Sequence, residues 1–433
     1  MARMRLCRVK ASRPMVIVRP DLASFSFGAR SEIDVRADTI FPAIKSERLE
    51  RNSGIDLLRG ISIVLVVLHH IGLRIPLKNG MLAAFLPRRF LNGLIYNGYE
   101  AVFIFFVISG FLIASHTLAR WGTLREIRLK TFYGQRAARI LPSLLALLGV
   151  LSALHLAGLS DFVISRTDQS LSRALLAALG LHLNWYEGVT GYLPANWDVL
   201  WSLSIEEAFY LGFPVICLTV RREKVLMPIL VMFALSLPGW HALLAGNDIW
   251  QEKAYLPGMA AIAMGVLGAL VAARVQPRTR AIRHGLMVVG VIGLAAVFFF
   301  EDYVWRWLGS GTLLVLSLSA LSLLLGFQWL AAAGVVSSLP GTVWLRSCGR
   351  LSYEIYLTHM FIVWPVVHAY VGSGTGPTWA FLWYVPALLL SWLMGWLLAR
   401  YFSVPCERAL RCVLAGAAGK SKTAHSPIEV AGT

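Results

Sequence analysis

Apolar residues in this chain come in long unbroken runs. They show neither the alternation of a half-buried strand nor the narrow stripe of a surface helix. Runs of about 18 residues or more recur, and each is long enough to cross a bilayer as a helix. They fall at roughly 54–73, 99–119, 136–157, 201–220, 225–244, 257–273, 285–300, 309–330, 351–371 and 379–401. The pattern predicts an all-α fold, a polytopic transmembrane helical bundle of about ten spans. A shorter apolar stretch, 171–186, contains Arg173, His182 and Asn184, and its length alone does not say whether it crosses.

Charge in the connecting segments decides that point. Basic clusters follow the second run (Arg120, Arg125, Arg128, Lys130, Arg136, Arg139), the fourth (Arg221, Arg222, Lys224) and the sixth (Arg274, Arg278, Arg280, Arg283). Others flank the ninth and tenth (Arg346, Arg350, Arg400, Arg408, Arg411). If 171–186 does not cross, all of these clusters lie on one side together with the N-terminus, as positively charged cytoplasmic loops do. The expectation is therefore both termini cytoplasmic, with 158–200 an outer-face segment able to dip into the membrane.

Composition agrees with the pattern. Of 433 residues, 57% are hydrophobic and only 15% charged, which excludes a soluble multidomain protein of this length. The net charge of +17 would suit nucleic acid if it lay on a polar domain. It sits instead in short clusters between apolar runs, so the implied partner is the lipid bilayer and not nucleic acid. The five cysteines form no metal-ligand or CxxC spacing, and no metal site is expected. Residues 1–50, with Arg3, Arg5, Arg8, Lys10 and Arg13, read as a disordered basic cytosolic tail, residues 51–408 as the membrane domain, and 409–433 as a C-terminal cytosolic tail. Trp185, Trp197, Trp201, Trp305 and Trp307 lie near predicted outer ends, where either an interfacial belt or sugar stacking uses them.

Ionisable groups inside the apolar runs cost several kcal/mol and call for a reason. In "GIDLLRGISIVLVVLHH" (54–70), Arg59 and His70 are eleven residues apart, three turns, so both lie on one helix face roughly 16 Å apart. Asp56 and Arg59, spaced i, i+3, are placed to pair. A charge near the cytoplasmic end and an imidazole further out suggest a lined passage; the plain alternative is a hydrogen-bonded bundle histidine. In "GYEAVFIFFVISGFLIASHTL" (98–118), Ser109–Gly110 interrupts bulky residues and permits close approach. In "FYGQRAARILP" (132–142), Arg136 and Arg139 lie one turn apart at a helix entrance, suited to phosphate or to simple anchoring. "NWDVLWSLSIEEAFYLGFP" (196–214) puts Glu206 and Glu207 within a span, where a carboxylate can charge-balance a histidine base. "LSYEIYLTHMFIVWP" (351–365) adds Tyr353, Glu354, Tyr356 and His359.

The blocks "DLLRGISIVLVVLHH", "FIFFVISGFLI", "RAARILP", "WSLSIEEAFYL" and "LSYEIYLTH", in this order across roughly 53–408, resemble the acyltransferase-3 family of integral-membrane acyltransferases. The resemblance implies transfer of an acyl group, often acetyl, from cytosolic acyl-CoA to a hydroxyl, usually of a carbohydrate or lipid-linked glycan. It implies a multi-pass protein of the bacterial inner (cytoplasmic) membrane, with acetyl-CoA or another acyl-CoA as donor substrate and no permanently bound cofactor. The family's Arg–ten residues–His pattern falls on Arg59 and His70, its Arg-x-x-Arg on Arg136 and Arg139, and its glutamate before Phe-Tyr on Glu206. The family's terminal Glu, Lys or Arg, Pro signature is incomplete, since "CERAL" has Glu407 and Arg408 without the Pro. The expected catalytic residues are His70 and Glu206, with His70 either a general base or an acyl carrier. The expected CoA-binding residues are Arg59, Arg136 and Arg139. The expected substrate passage is lined by Asp56, Phe106, Ser109, Tyr210, Tyr353 and His359. The rival class is a transporter or flippase of lipid-linked glycans, which would favour internal symmetry that the chain lacks.

Overall fold

The computed structural model describes residues 51–277, 279–335 and 340–423. The expected N-terminal tail and the last ten residues of the C-terminal one lie outside the described residues. Among the described residues the fold is all-helical. The helices used below are α1 Ser53–Gly72, α2 Gly98–Trp121, α3 Leu129–Leu156, α4 Leu171–Leu179, α5 Leu183–Thr190, α6 Leu200–Val220, α7 Glu223–Leu235 and α8 Tyr255–Arg274. They continue with α9 Arg280–Leu308, α10 Thr312–Ala332, α11 Val343–Arg350, α12 Ser352–Thr358, α13 Met360–Gly372, α14 Tyr384–Leu398 and α15 Val404–Thr423.

Eight helical segments among the described residues are long and apolar enough to cross a membrane, or nine if the bent pair α12–α13 counts as one span. One of the eight, Arg280–Ala332, is 53 residues long. At 1.5 Å per residue it would extend about 80 Å if straight. It instead turns back at Gly309–Gly311, so α9 and α10 pack on each other. The apolar stretch 171–186 becomes two short helices, α4 and α5, of 9 and 8 residues. Neither is long enough to cross.

Local chemistry explains the ends of α1. Asn52 caps it, its side chain accepting from the amides of Gly54 and Ile55, and Asp56 stands in the first turn where the helix dipole favours a carboxylate. Asp56 does not pair with Arg59. Its carboxylate takes Arg51 at 2.8 Å, because a first-turn acid is reached more easily from the chain entering the helix. Arg59 is thereby free to donate to Ser352 Oγ at 2.7 Å.

Glycines set the inter-helix distances. A Cβ on Gly60 would lie 1.9 Å from the carbonyl oxygen of Leu345, and one on Gly349 would lie 1.8 Å from that of Asp56, so α1 and α11 touch backbone to backbone. Gly110 and Gly265 do the same for α2 and α8, at 1.9 Å from Ile262 O and 2.0 Å from Val107 O. In lipid, where no hydrophobic force separates helix from solvent, such close packing is a main source of association. Ser109–Gly110 therefore marks a contact within a helix that stays continuous from Gly98 to Trp121.

The ninth predicted span is broken. α12 and α13 meet at His359 with a 51° bend. Pro365 has no amide hydrogen to offer the Phe361 carbonyl, which weakens the ladder just past the bend. Asn196 donates to the carbonyl of Leu357 at 2.7 Å beside it. Asn196 and Trp197 are both 0% exposed, so the segment between α5 and α6 enters the bundle. Trp197 and Trp201 are accordingly core residues and not part of an aromatic belt, whereas Trp185, Trp305 and Trp307 are exposed as a belt requires.

Valine at Gly110 or Gly265 should force α2 and α8 apart. The expected cost is about 1–3 kcal/mol or more of overpacking, read as a lower melting temperature in detergent and a lower yield of monodisperse protein. Valine at Gly212, whose Cβ position meets nothing within 4 Å, should leave both unchanged. Equal behaviour of the three variants would refute the backbone-contact account.

Candidate active site

Three polar groups of residues lie along the interior, joined by aromatic side chains. At one end, Arg59 (α1), Arg139 (α3) and Arg411 (α15) stand with Arg136 around the exposed His116 of α2, close enough for mutual repulsion. Like charges gathered in this way raise the local positive potential and favour an anion. Arg139 is exposed and makes no hydrogen bond or salt bridge among the described residues. Arg59 spends one donor on Ser352.

The second group is an ion cluster tying α2, α3 and α6 together. Arg136 donates to Glu207 from Nε at 2.9 Å and from Nη2 at 2.7 Å, and its Nη2 also donates to Glu206 at 2.8 Å. Its guanidinium lies 3.9 Å from the ring centre of Tyr210. Glu206 further accepts from Ser109 Oγ and from the Tyr210 hydroxyl, the latter at 3.0 Å. Ser109 and Tyr210 also contact each other. Two carboxylates and one guanidinium leave a formal charge of −1, softened by the two hydroxyl donors.

The two arginines of "RAAR" are thus unlike. The sequence puts both at a helix entrance facing phosphate. In the fold α3 begins at Leu129, so both lie two to three turns into the helix. Arg136 meets Glu206 and Glu207 of α6 there, while Arg139 stays exposed. Glu206 likewise has Arg136, Ser109 and Tyr210 as partners, and no hydrogen bond links it to a histidine.

The third group lies at the opposite end. His70 of α1 faces His359 at the α12–α13 bend, ring centres 5.0 Å apart, and His69 at 5.4 Å. His70 is partly exposed, and His359 is 0% exposed. His69 is occupied structurally: its Nδ1 binds the Ile95 carbonyl at 3.2 Å, and its ring covers the Cβ position of Gly98. Arg74 donates to the His70 carbonyl at 2.7 Å and lies 4.4 Å from the ring centre of Trp364.

Between the second and third groups stand Phe106, edge-on to Trp201 at 6.1 Å, and Tyr356. The Tyr356 hydroxyl donates to the Val199 carbonyl at 2.8 Å, so Ser202 Oγ, 2.7 Å away, is the donor to Tyr356. Tyr353 ties α12 to α3 through the Ile140 carbonyl at 3.2 Å. Of the expected passage residues, Ser109 and Tyr210 join the ion cluster, Phe106, Tyr353 and His359 line the column, and Asp56 stays apart with Arg51.

One feature went unread in the sequence. Lys253, 1% exposed, is held by Glu187, 0% exposed, at 2.8 Å and by Asp198. Glu187 also accepts from the Leu193 amide at 2.9 Å. This triad ties α5 and the segment before α6 to the start of α8. Asp198 follows Ala195, whose φ of +48° is the left-handed conformation that side chains other than glycine rarely adopt. The available signal was a lone lysine at the start of an apolar run whose other basic residues lie at the far end.

Removing Arg136 should leave two carboxylates facing each other in the bundle. Arg136→Gln is expected to lower stability by about 3 kcal/mol, read by thermal unfolding in detergent, with Arg136→Gln/Glu207→Gln recovering part of it. A single variant as stable as the parent would show that the cluster is solvated and contributes little.

The chain spans about half the length of the curated relatives it matches. O-acetyltransferase OatA of Staphylococcus aureus strain NCTC 8325 / PS 47 is 26% identical over 382 residues, covering 82% of this chain and 57% of the relative, and OatA of strain COL matches equally. SAS0844 of strain MSSA476, provisionally named an O-acetyltransferase, is 26% identical over 370 residues, 78% of this chain and 54% of its own. No solved structure matches the chain significantly. The model of the family's acyltransferase domain matches residues 52–400, from the cap of α1 to just past α14, and so takes in the second and third groups and all of the first but Arg411. This chain belongs to the acyltransferase-3 family of membrane acyltransferases.

Proposed function

We propose that the protein transfers an acyl group, acetyl in the first instance, from cytosolic acyl-CoA to a hydroxyl of a carbohydrate or lipid-linked glycan at or beyond the outer face of a bacterial inner membrane. The observation that carries this reading is the common partner of Arg59 and His70. Arg59 binds Ser352 and His70 packs on His359, so one bent segment, α12–α13, meets both ends of one face of α1. Family membership and the names of the relatives support acetyl transfer.

In this reading α9 and α10 are separate spans, giving ten with α12–α13, and both termini are cytoplasmic. The one-sided loop charge supports that orientation. Arg139 and Arg59 then meet the phosphates of CoA on the cytoplasmic side, and the thioester reaches inward. His70 takes the proton of the acceptor hydroxyl as its oxygen attacks the thioester carbonyl carbon. The carbon–sulfur bond breaks, and the leaving thiolate takes the proton back from His70. The products are an ester and free CoA. Arg136 and Glu206 hold α2, α3 and α6 in register around the path.

Membranes matched for protein level and given radiolabelled acetyl-CoA should transfer label to the glycan fraction. His70→Ala should abolish transfer, while His69→Asn, which keeps a partner for the Ile95 carbonyl, should retain most of it. Near-normal turnover in His70→Ala would overturn the assignment of the base. Arg139→Ala should weaken acetyl-CoA binding roughly tenfold or more, the cost of one charge-assisted phosphate contact, with Lys rescuing only part. Unchanged affinity would reduce Arg139 to an anchor.

A further inference from the structure

His359 is a buried imidazole whose tautomer is fixed by its surroundings. Its Nδ1 lies 2.8 Å from the Tyr356 carbonyl oxygen and 3.2 Å from that of Ile355. Carbonyl oxygens only accept, so Nδ1 carries the hydrogen. In the neutral ring Nε2 is then left with its lone pair. That atom is buried and has no hydrogen-bond partner among the described residues. An orphaned buried acceptor costs about 1–3 kcal/mol, and a fold does not keep one without compensation.

The ring beside it is His70. Two imidazoles joined by one N–H···N bond have centres roughly 5 Å apart, given donor–acceptor distances near 3 Å. The observed separation is 5.0 Å with the planes tilted by 41°. A turn of the partly exposed His70 ring would bring one of its nitrogens toward Nε2. The bend keeps His359 there: His359 is the residue at which α12 gives way to α13. Asn196 and Tyr356 tie that turn to the outer segment on either side of Asp198.

We propose that His359 is a positioning residue for acyl transfer: its Nε2 accepts the N–H of His70, leaving the other His70 nitrogen unprotonated and aimed at the acceptor hydroxyl. The proposal rests on His70 being the base. Its logic is that of a hydrogen-bonded orienting group behind a catalytic imidazole, with a neutral acceptor in place of a carboxylate. When His70 takes the acceptor's proton, the imidazolium keeps its bond to Nε2. The leaving thiolate then removes that same proton, and His359 ends as it began. A neutral partner suits the place, since a second carboxylate there would add an unpaired charge to a buried site already facing Asp198.

The test uses the full chain in membranes, with radiolabelled acetyl-CoA as donor and the endogenous acceptor. His359→Phe keeps the ring and removes the acceptor; it should lower kcat on the order of a hundredfold while leaving KM for acetyl-CoA within about twofold, the pattern of an interaction felt only in the transition state. His359→Gln, whose side-chain oxygen accepts near the Nε2 position, should restore at least about tenfold of that loss. A merely structural role predicts the reverse, with Phe tolerated at least as well as Gln in a buried apolar turn. Equal turnover of the Phe variant and the parent, or Gln no better than Phe at matched protein level, overturns the proposal. If His70→Ala is itself active, the reading beneath it fails instead, and the two failures are told apart by that single variant.

Discussion

A guanidinium inside a membrane bundle has to find its countercharge within the protein, because lipid supplies none. Arg136 meets that constraint with Glu206 and Glu207, and the rest of the interior is arranged around the solution. The cluster draws side chains from α2, α3 and α6 to one point. It also fixes the depth of Glu206, and so of the Tyr210 and Ser109 hydroxyls bonded to it. Glycines at 60, 110, 265 and 349 complete the effect by letting backbones touch, so that helices cannot slide to relieve a misplaced charge.

Within that frame, polarity is graded along one axis. A cluster of guanidiniums occupies one end, of which Arg139 is exposed and without a hydrogen bond or salt bridge among the described residues; a saturated ion cluster adjoins it, and the imidazoles stand beyond a band of aromatic side chains. Donor and acceptor of the proposed reaction would come from opposite sides of the membrane, and each end carries groups suited to one of them. The ion cluster between them contributes cohesion. Its charges are too fully paired to hold a phosphate firmly or to shuttle a proton cheaply.

Much of this was legible in the chain. Run lengths and loop charge identified the long helices, and three turns of helix put Arg59 and His70 on one face. The short apolar stretch 171–186 was resolved by asking which side each basic cluster would occupy. Pairings across helices were not legible. Arg136 looked like Arg139 because a motif records spacing, while their difference arises from which neighbours lie beside each on α3. Asp56 read as a partner for Arg59 by proximity along the helix, although the entering Arg51 was better placed. Lys253 and Glu187 are 66 residues apart, and no periodicity connects them.

The triad of Glu187, Asp198 and Lys253 bears on how the protein is made. Its two acids belong to the outer segment and emerge before the lysine, which stands just ahead of α8. Until Lys253 is made, Glu187 and Asp198 lack the cation that each of them pairs with in the folded chain. The ion pairs that fasten this segment can therefore form only after Lys253 has been made, an order set by the chain. A chain halted before Lys253 would hold α1 to α7 without the cation that Glu187 and Asp198 share.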